Sequence, residues 1–175
     1  MLQLLKTLIQ DLREMKNKSD RYRKNLRLKD FDYSIAGYYF VTILSDKRKN
    51  IFGNIIDGEI NLNPLGLIIE KTWLEIPIHF PYIEVDAYVV MPNHFHGIVI
   101  ITEVGAQHAE PQWVIKTQPL GVIVRSFKSA VTKSAHDLGL FIGEKIWQRN
   151  YYEHIIRDED DYEKIVDYVS ANPIN

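Results

Sequence analysis

The sequence has no cysteine. That absence excludes a disulfide framework, a thiolate zinc site and a cysteine nucleophile together. Any catalytic metal must therefore rest on imidazole, carboxylate or amide groups. Long apolar runs are missing as well: none approaches the ~18 residues that cross a bilayer, so a soluble protein with no membrane partner is expected. Nor is there a large excess of either charge. Lys and Arg number 21 against 23 Asp and Glu, the net charge is −2, and 46% of residues are hydrophobic, a composition that does not suggest disorder. At 175 residues the chain is long enough to bury most of its apolar surface in one domain.

The charge is unevenly placed. Residues 1–30 hold nine basic and four acidic groups, and the remainder holds twelve basic against nineteen acidic. A basic arm on an acidic body attracts a polyanion without raising the overall isoelectric point, although a solvated helix and linker accounts for the same charges. Leu2, Leu5, Leu8, Ile9, Leu12 and Met15 recur at spacings of three and four, which predicts an amphipathic helix over the first ~17 residues. Asp11 and Glu14 interrupt it and no small-residue cleavage site follows, so it does not read as a signal peptide. Residues 1–32 are thus an N-terminal helix and basic arm, and 33–175 the main domain.

From Gly37 the pattern changes. Residues 38–44 are aromatic and β-branched, a strand. Asp46–Asn50 is a polar turn, and 51–62 reads as two short strands about Asp57-Gly58. Asn63-Pro64 is a helix start, and that helix should end before Pro77. Strands over 85–91 and 94–101 are joined by Pro92-Asn93, and 102–119 reads as a variable loop. Residues 120–138 form a second amphipathic helix, with Val124, Phe127 and Val131 inward and Arg125, Lys128 and Lys133 outward. A strand within 147–157 leads to an acidic run, Asp158–Asp161, that favours a helix N-terminus, and the last helix stops at Asn172-Pro173. This order predicts an α+β fold: a ferredoxin-like antiparallel sheet with helices packed on one face, plus the N-terminal amphipathic helix.

The densest polar feature in an apolar setting is Pro92-Asn93-His94-Phe95-His96-Gly97. Residues two apart on a strand share a face, so His94 and His96 project side by side while Phe95 points to the core. Two charged imidazoles this close would repel, whereas a shared divalent cation holds both neutral; a pair of hydrogen-bonded structural histidines is the plain alternative. On the last helix Tyr168 and Asn172 are four apart and share a face. An amide oxygen beside imidazoles favours Mg²⁺ or Mn²⁺. An ordinary core tyrosine and a C-capping asparagine would give the same spacing.

Together these segments resemble a known family. Met91–Gly97 (MPNHFHG) is similar to the His–hydrophobic–His motif of the HUH nucleases. Leu26–Ile43 (LRLKDFDYSIAGYYFVTI), Ile123–Ser129 (IVRSFKS), Ile146–Arg157 (IWQRNYYEHIIR) and Val166–Pro173 (VDYVSANP) resemble the REP-associated tyrosine transposases, in matching order over about residues 21–175. The resemblance implies a metal-dependent transposase and endonuclease acting on single-stranded DNA at the foot of a hairpin. Its metal ligands fall on His94, His96 and Asn172 and its nucleophile on Tyr168. The tyrosine attacks a backbone phosphate to give a covalent 5′-phosphotyrosine and a free 3′-hydroxyl, and reversal rejoins strands in DNA recombination. A cytoplasmic, nucleoid-associated monomer or homodimer is implied.

Candidate DNA contacts are Arg21, Arg23, Lys24 and Arg27 in the arm, Arg125 and Lys128 on the second long helix, and His154; single-strand binders combine such cations with aromatic stacking. Tyr151 and Tyr152 are rival nucleophiles. Two rival functions remain open: a hairpin-binding module without catalysis, and a hydrolase pairing the histidines with a carboxylate such as Asp86.

Overall fold

Gly37–Leu44 forms the first strand, β1, and its side chains from Tyr39 to Leu44 are buried on both faces. A run of apolar residues without polar alternation is what a strand covered on both sides requires. Its neighbours come from later in the chain. Ile83–Met91 (β4) and His94–Ile101 (β5) form an antiparallel hairpin, and Tyr152–Ile156 (β6) takes the other edge of β1, giving the order β4-β5-β1-β6. Between β1 and β4 lie a small separate hairpin, Gly53–Ile56 (β2) with Glu59–Leu62 (β3), and the helix Pro64–Leu74 (α1), followed by the short helix Ile76–His79 (α2). Leu120–Asp137 (α3) connects β5 towards β6, and Glu159–Ser170 (α4) follows β6. The computed structural model describes residues 32–102, 118–140 and 145–172. The predicted N-terminal helix, the basic arm and most of the 102–119 loop lie outside the described residues.

Local chemistry explains most boundaries. Asn63 caps α1 by accepting a 3.0 Å hydrogen bond from Gly66 N, with Pro64 in the first turn. Asp57 (φ 52) and Gly58 (φ 83) form the left-handed pair that a tight two-residue hairpin needs. Asp158 caps α4 by accepting from Asp161 N at 2.9 Å, with Glu159, Asp160 and Asp161 in the first turn.

The fold is the α+β antiparallel class expected, but its helices occupy both faces of the sheet. On one face Trp73 of α1 and Phe127 of α3 pack with Phe95 of β5, at ring separations of 4.6 Å for Trp73–Phe95 and 5.5 Å for Phe95–Phe127. On the other, Ile165 and Val169 of α4 cluster with Phe40 and Ile98. Alternation along β1 and β5 leaves apolar side chains on each face, so a one-sided layer would have left Phe40, Ile98 and Ile156 in water. The final helix supplies the second cover, and in doing so lies on the face to which His94 and His96 point.

Candidate active site

The register of the sheet builds the site. Thr42 pairs with His96 across β1 and β5, and Leu44 pairs with His94. The two imidazoles stand with centroids 4.5 Å apart, near perpendicular at 80°. Beneath them Phe40 stacks on His96 at 5.3 Å, while Phe95 lies on the opposite face against Trp73. The strand reading of the His-x-His triplet therefore holds in detail.

Each imidazole is oriented through its Nδ1. His94 Nδ1 lies 2.6 Å from Asn93 Oδ1, an atom that only accepts, so Nδ1 bears the proton and Nε2 keeps its lone pair. His96 Nδ1 lies 2.8 Å from Thr42 Oγ1, and its Nε2 faces the Tyr168 hydroxyl at 3.4 Å. With the phenol donating to Nε2, the same tautomer follows for His96. Burial pushes the His94 imidazole down to about 4, with the charge of Arg48 adding to it. His96, 1% exposed, is held well below the usual histidine range by burial and then by His94. Both rings are neutral at pH 7, the state in which imidazole binds a metal.

Tyr168 comes from the last two turns of α4. Its ring meets Phe40 and His96 edge-on at 6.3 and 5.3 Å. Burial raises the phenol above its ordinary pKa of 10, opposed by the Asn172 amide. Asn172 also donates through Nδ2 to the Tyr168 carbonyl at 2.8 Å, which fixes its amide beside the phenol. Two neutral imidazoles with oriented second nitrogens, an amide and a phenol make a donor set that fits a divalent ion. Among the described residues no group of three or more His, Asp or Glu gathers to hold a metal; beside the two imidazoles the cluster offers the neutral amide oxygen of Asn172.

The other predicted residues separate from this cluster. Asp86 is not beside the histidines: its carboxylate accepts from Tyr162 Oη at 2.5 Å, where a bulge between Val85 and Tyr88 turns the strand. Arg125 is exposed on α3, over the opposite face of the sheet. Lys128 does not point outward. Its Nζ donates to the Gln148 carbonyl at 2.5 Å, and burial brings its pKa down to about 8. His154 shares the histidine face but pairs with Asp161 of α4 at 2.8 Å. Tyr152 stands across β1 from Thr42, one strand further from His96. Arg21, Arg23, Lys24 and Arg27 lie outside the described residues. Sequence reasoning missed Thr42, Asn93 and Arg48. Of these only Asn93, next to the triplet, had a signal to find; the others depend on register and turn geometry.

No family model matches the chain. An uncharacterized Haemophilus influenzae protein is 40% identical over 167 residues, 90% of this chain and 92% of that protein. A second protein of that organism, provisionally named a REP-associated tyrosine transposase, is 26% identical over 82% of this chain and 73% of its own length. The REP-associated tyrosine transposase of Escherichia coli is 34% identical over 91 residues, 52% of this chain and 44% of that protein. By sequence the chain is thus similar to proteins named REP-associated tyrosine transposases. Its fold agrees: a solved REP-associated tyrosine transposase bound to a REP hairpin superposes with a TM-score of 0.58 at 23% identity, covering 85% of this chain and 72% of that one. Among the described residues no helix is long and apolar enough to cross a membrane.

Proposed function

We propose that this chain binds hairpin DNA and cleaves and rejoins an adjoining single strand through a covalent link to Tyr168. The observation that carries the reading is the convergence of β5 and α4, which brings the Tyr168 hydroxyl to 3.4 Å from His96 Nε2 with His94 alongside and Asn172 one turn on. Similarity to proteins named REP-associated tyrosine transposases, and a fold shared with one solved bound to a REP hairpin, support the substrate.

In the forward step the Tyr168 Oη–P bond forms and the P–O3′ bond breaks. The phenol releases its proton and the departing 3′ oxygen takes one up. The products are a 5′-phosphotyrosine and a 3′-hydroxyl, and the reverse attack restores the strand with no nucleotide consumed. Because burial raises the phenol's pKa, little phenolate exists at neutral pH and ionisation must accompany attack. Mg²⁺ or Mn²⁺ on His94, His96 and Asn172 would lower the charge cost at the phosphate. Thr42 and Asn93 hold the imidazoles in register for that role, and Asn172 steadies the phenol. Localisation in the cytoplasm near the nucleoid follows from the substrate.

The test is incubation with a hairpin oligonucleotide bearing a single-stranded flank, with Mn²⁺, followed by a denaturing gel. A denaturant-resistant protein–DNA band is expected, lost with chelator and in Tyr168→Phe. Cleavage without a band would mean hydrolysis, and binding without cleavage a silent hairpin-binding module; either result overturns the proposal.

A further inference from the structure

The turn that leaves β1 has a backbone that sequence reading passes over as merely polar. Lys47 (φ 52, ψ 21) and Arg48 (φ 55) are consecutive non-glycine residues in the left-handed region. Side chains adopt that conformation at a steric cost, and it persists only where the surroundings impose it. Here they do. Ser45 N donates to the Asn93 carbonyl at 3.0 Å, Asp46 N to the Ile146 carbonyl at 2.8 Å, and Ser45 Oγ to the Lys49 carbonyl at 2.8 Å. Arg48 N closes the turn on the Ser45 carbonyl at 3.1 Å.

This pinned turn begins one residue after Leu44, the register partner of His94, and its anchor Asn93 also holds the His94 ring. Arg48 is half-buried, and among the described residues no carboxylate pairs with it. The turn that carries it is bonded through Ser45 N to the carbonyl of Asn93, the residue before His94, so Arg48 stands on the backbone that borders the imidazole pair. A half-buried guanidinium without an anion is costly, and the two non-bridging oxygens of a phosphodiester match its fork.

We propose that Arg48 is a substrate-contacting residue that grips a non-bridging oxygen of the phosphate attacked by Tyr168, and that the strained turn exists to aim it there. The inference rests on the strand-cleavage reading above. In the transition state, charge builds on those same oxygens, so the contact strengthens as the Tyr168–phosphorus bond forms.

The test uses the full chain with the hairpin oligonucleotide and Mn²⁺. Arg48→Gln and Arg48→Gly should slow adduct formation at saturating DNA by about tenfold or more, with partial recovery in Arg48→Lys. Arg48→Gly should not lower the melting temperature, and relief of the left-handed strain should raise it by up to about 2–4 °C. Lys47→Gly should show the same thermal behaviour with less than about a threefold loss of rate. A second arm, on the Tyr168→Phe background, scans a neutral methylphosphonate along the single-stranded flank. One linkage should weaken binding in the presence of Arg48 and have no further effect in Tyr168→Phe/Arg48→Gln. Adduct rates in Arg48→Gln within twofold of the parent, or an equal methylphosphonate penalty with and without Arg48, would overturn the assignment. Absence of any adduct with the unaltered protein would overturn the cleavage reading itself, and this assignment with it.

Discussion

At the scale of single residues, the site is two imidazoles kept neutral by burial and kept in one tautomer by neighbours. The His94–His96 and Tyr168–Asn172 spacings were readable directly, because strand and helix periods alone place each pair on one face. What no spacing reveals is that Thr42, 54 residues away from His96, supplies the partner for its Nδ1. That contact is a product of register. Neutral burial also sets a pH dependence. In the unfolded chain these histidines take up protons near pH 6.5, whereas folded His94 does so only near 4 and folded His96 is held well below the usual histidine range. Between those values the unfolded state binds more protons. Stability in the presence of chelator should therefore be complete above about pH 6.5 and fall as pH drops towards 4. Urea midpoints across pH 7.5 to 4.5 measure this, and His94→Ala should flatten the decline. An equally steep decline in His94→Ala would show that other groups control it.

At the scale of elements, the informative case is β5, where alternate residues serve two different layers. His94, His96 and Ile98 face α4, while Phe95, Gly97 and Val99 face α1 and α3. Gly97 has no room for a side chain: an added Cβ would lie 2.5 Å from the Trp73 ring and 2.9 Å from that of Phe95. Gly97→Ala should therefore destabilise the fold by about 1–3 kcal/mol, read from denaturant midpoints. The same substitution should weaken Mn²⁺ binding, since the strand that shifts is the one bearing His96. An unchanged midpoint would mean that Trp73 gives way freely. The placement of α4 was the part of the fold that the element order concealed. A crossover helix between strands announces its face, but a terminal helix after the last strand is free to cover either side. Here Ile165, Val169 and the Asp86–Tyr162 contact across the β4 bulge decide it.

At the scale of the whole molecule, the proposed function asks a chain of net charge −2 to bind a polyanion, and its cations are concentrated in residues 1–30. Binding of the hairpin oligonucleotide should weaken steeply with salt. Replacing Arg21, Arg23, Lys24 and Arg27 together by Gln should reduce the slope of log affinity against log salt by up to about 3, at roughly 0.7 per phosphate contact on a single strand. An unaltered slope would assign DNA attraction to the body instead. The central claim, that Tyr168 is the atom donor of the covalent link, is tested most directly by digesting the adduct with trypsin and locating the attached nucleotide by mass spectrometry. Cleavage after Arg149, Arg157 and Lys164 puts the tyrosines of this region on three separate peptides: Tyr151 and Tyr152 on one, Tyr162 on the next and Tyr168 on the last. The nucleotide is expected on the peptide that begins at Ile165. Its recovery on the peptide that begins at Asn150 would contradict the claim.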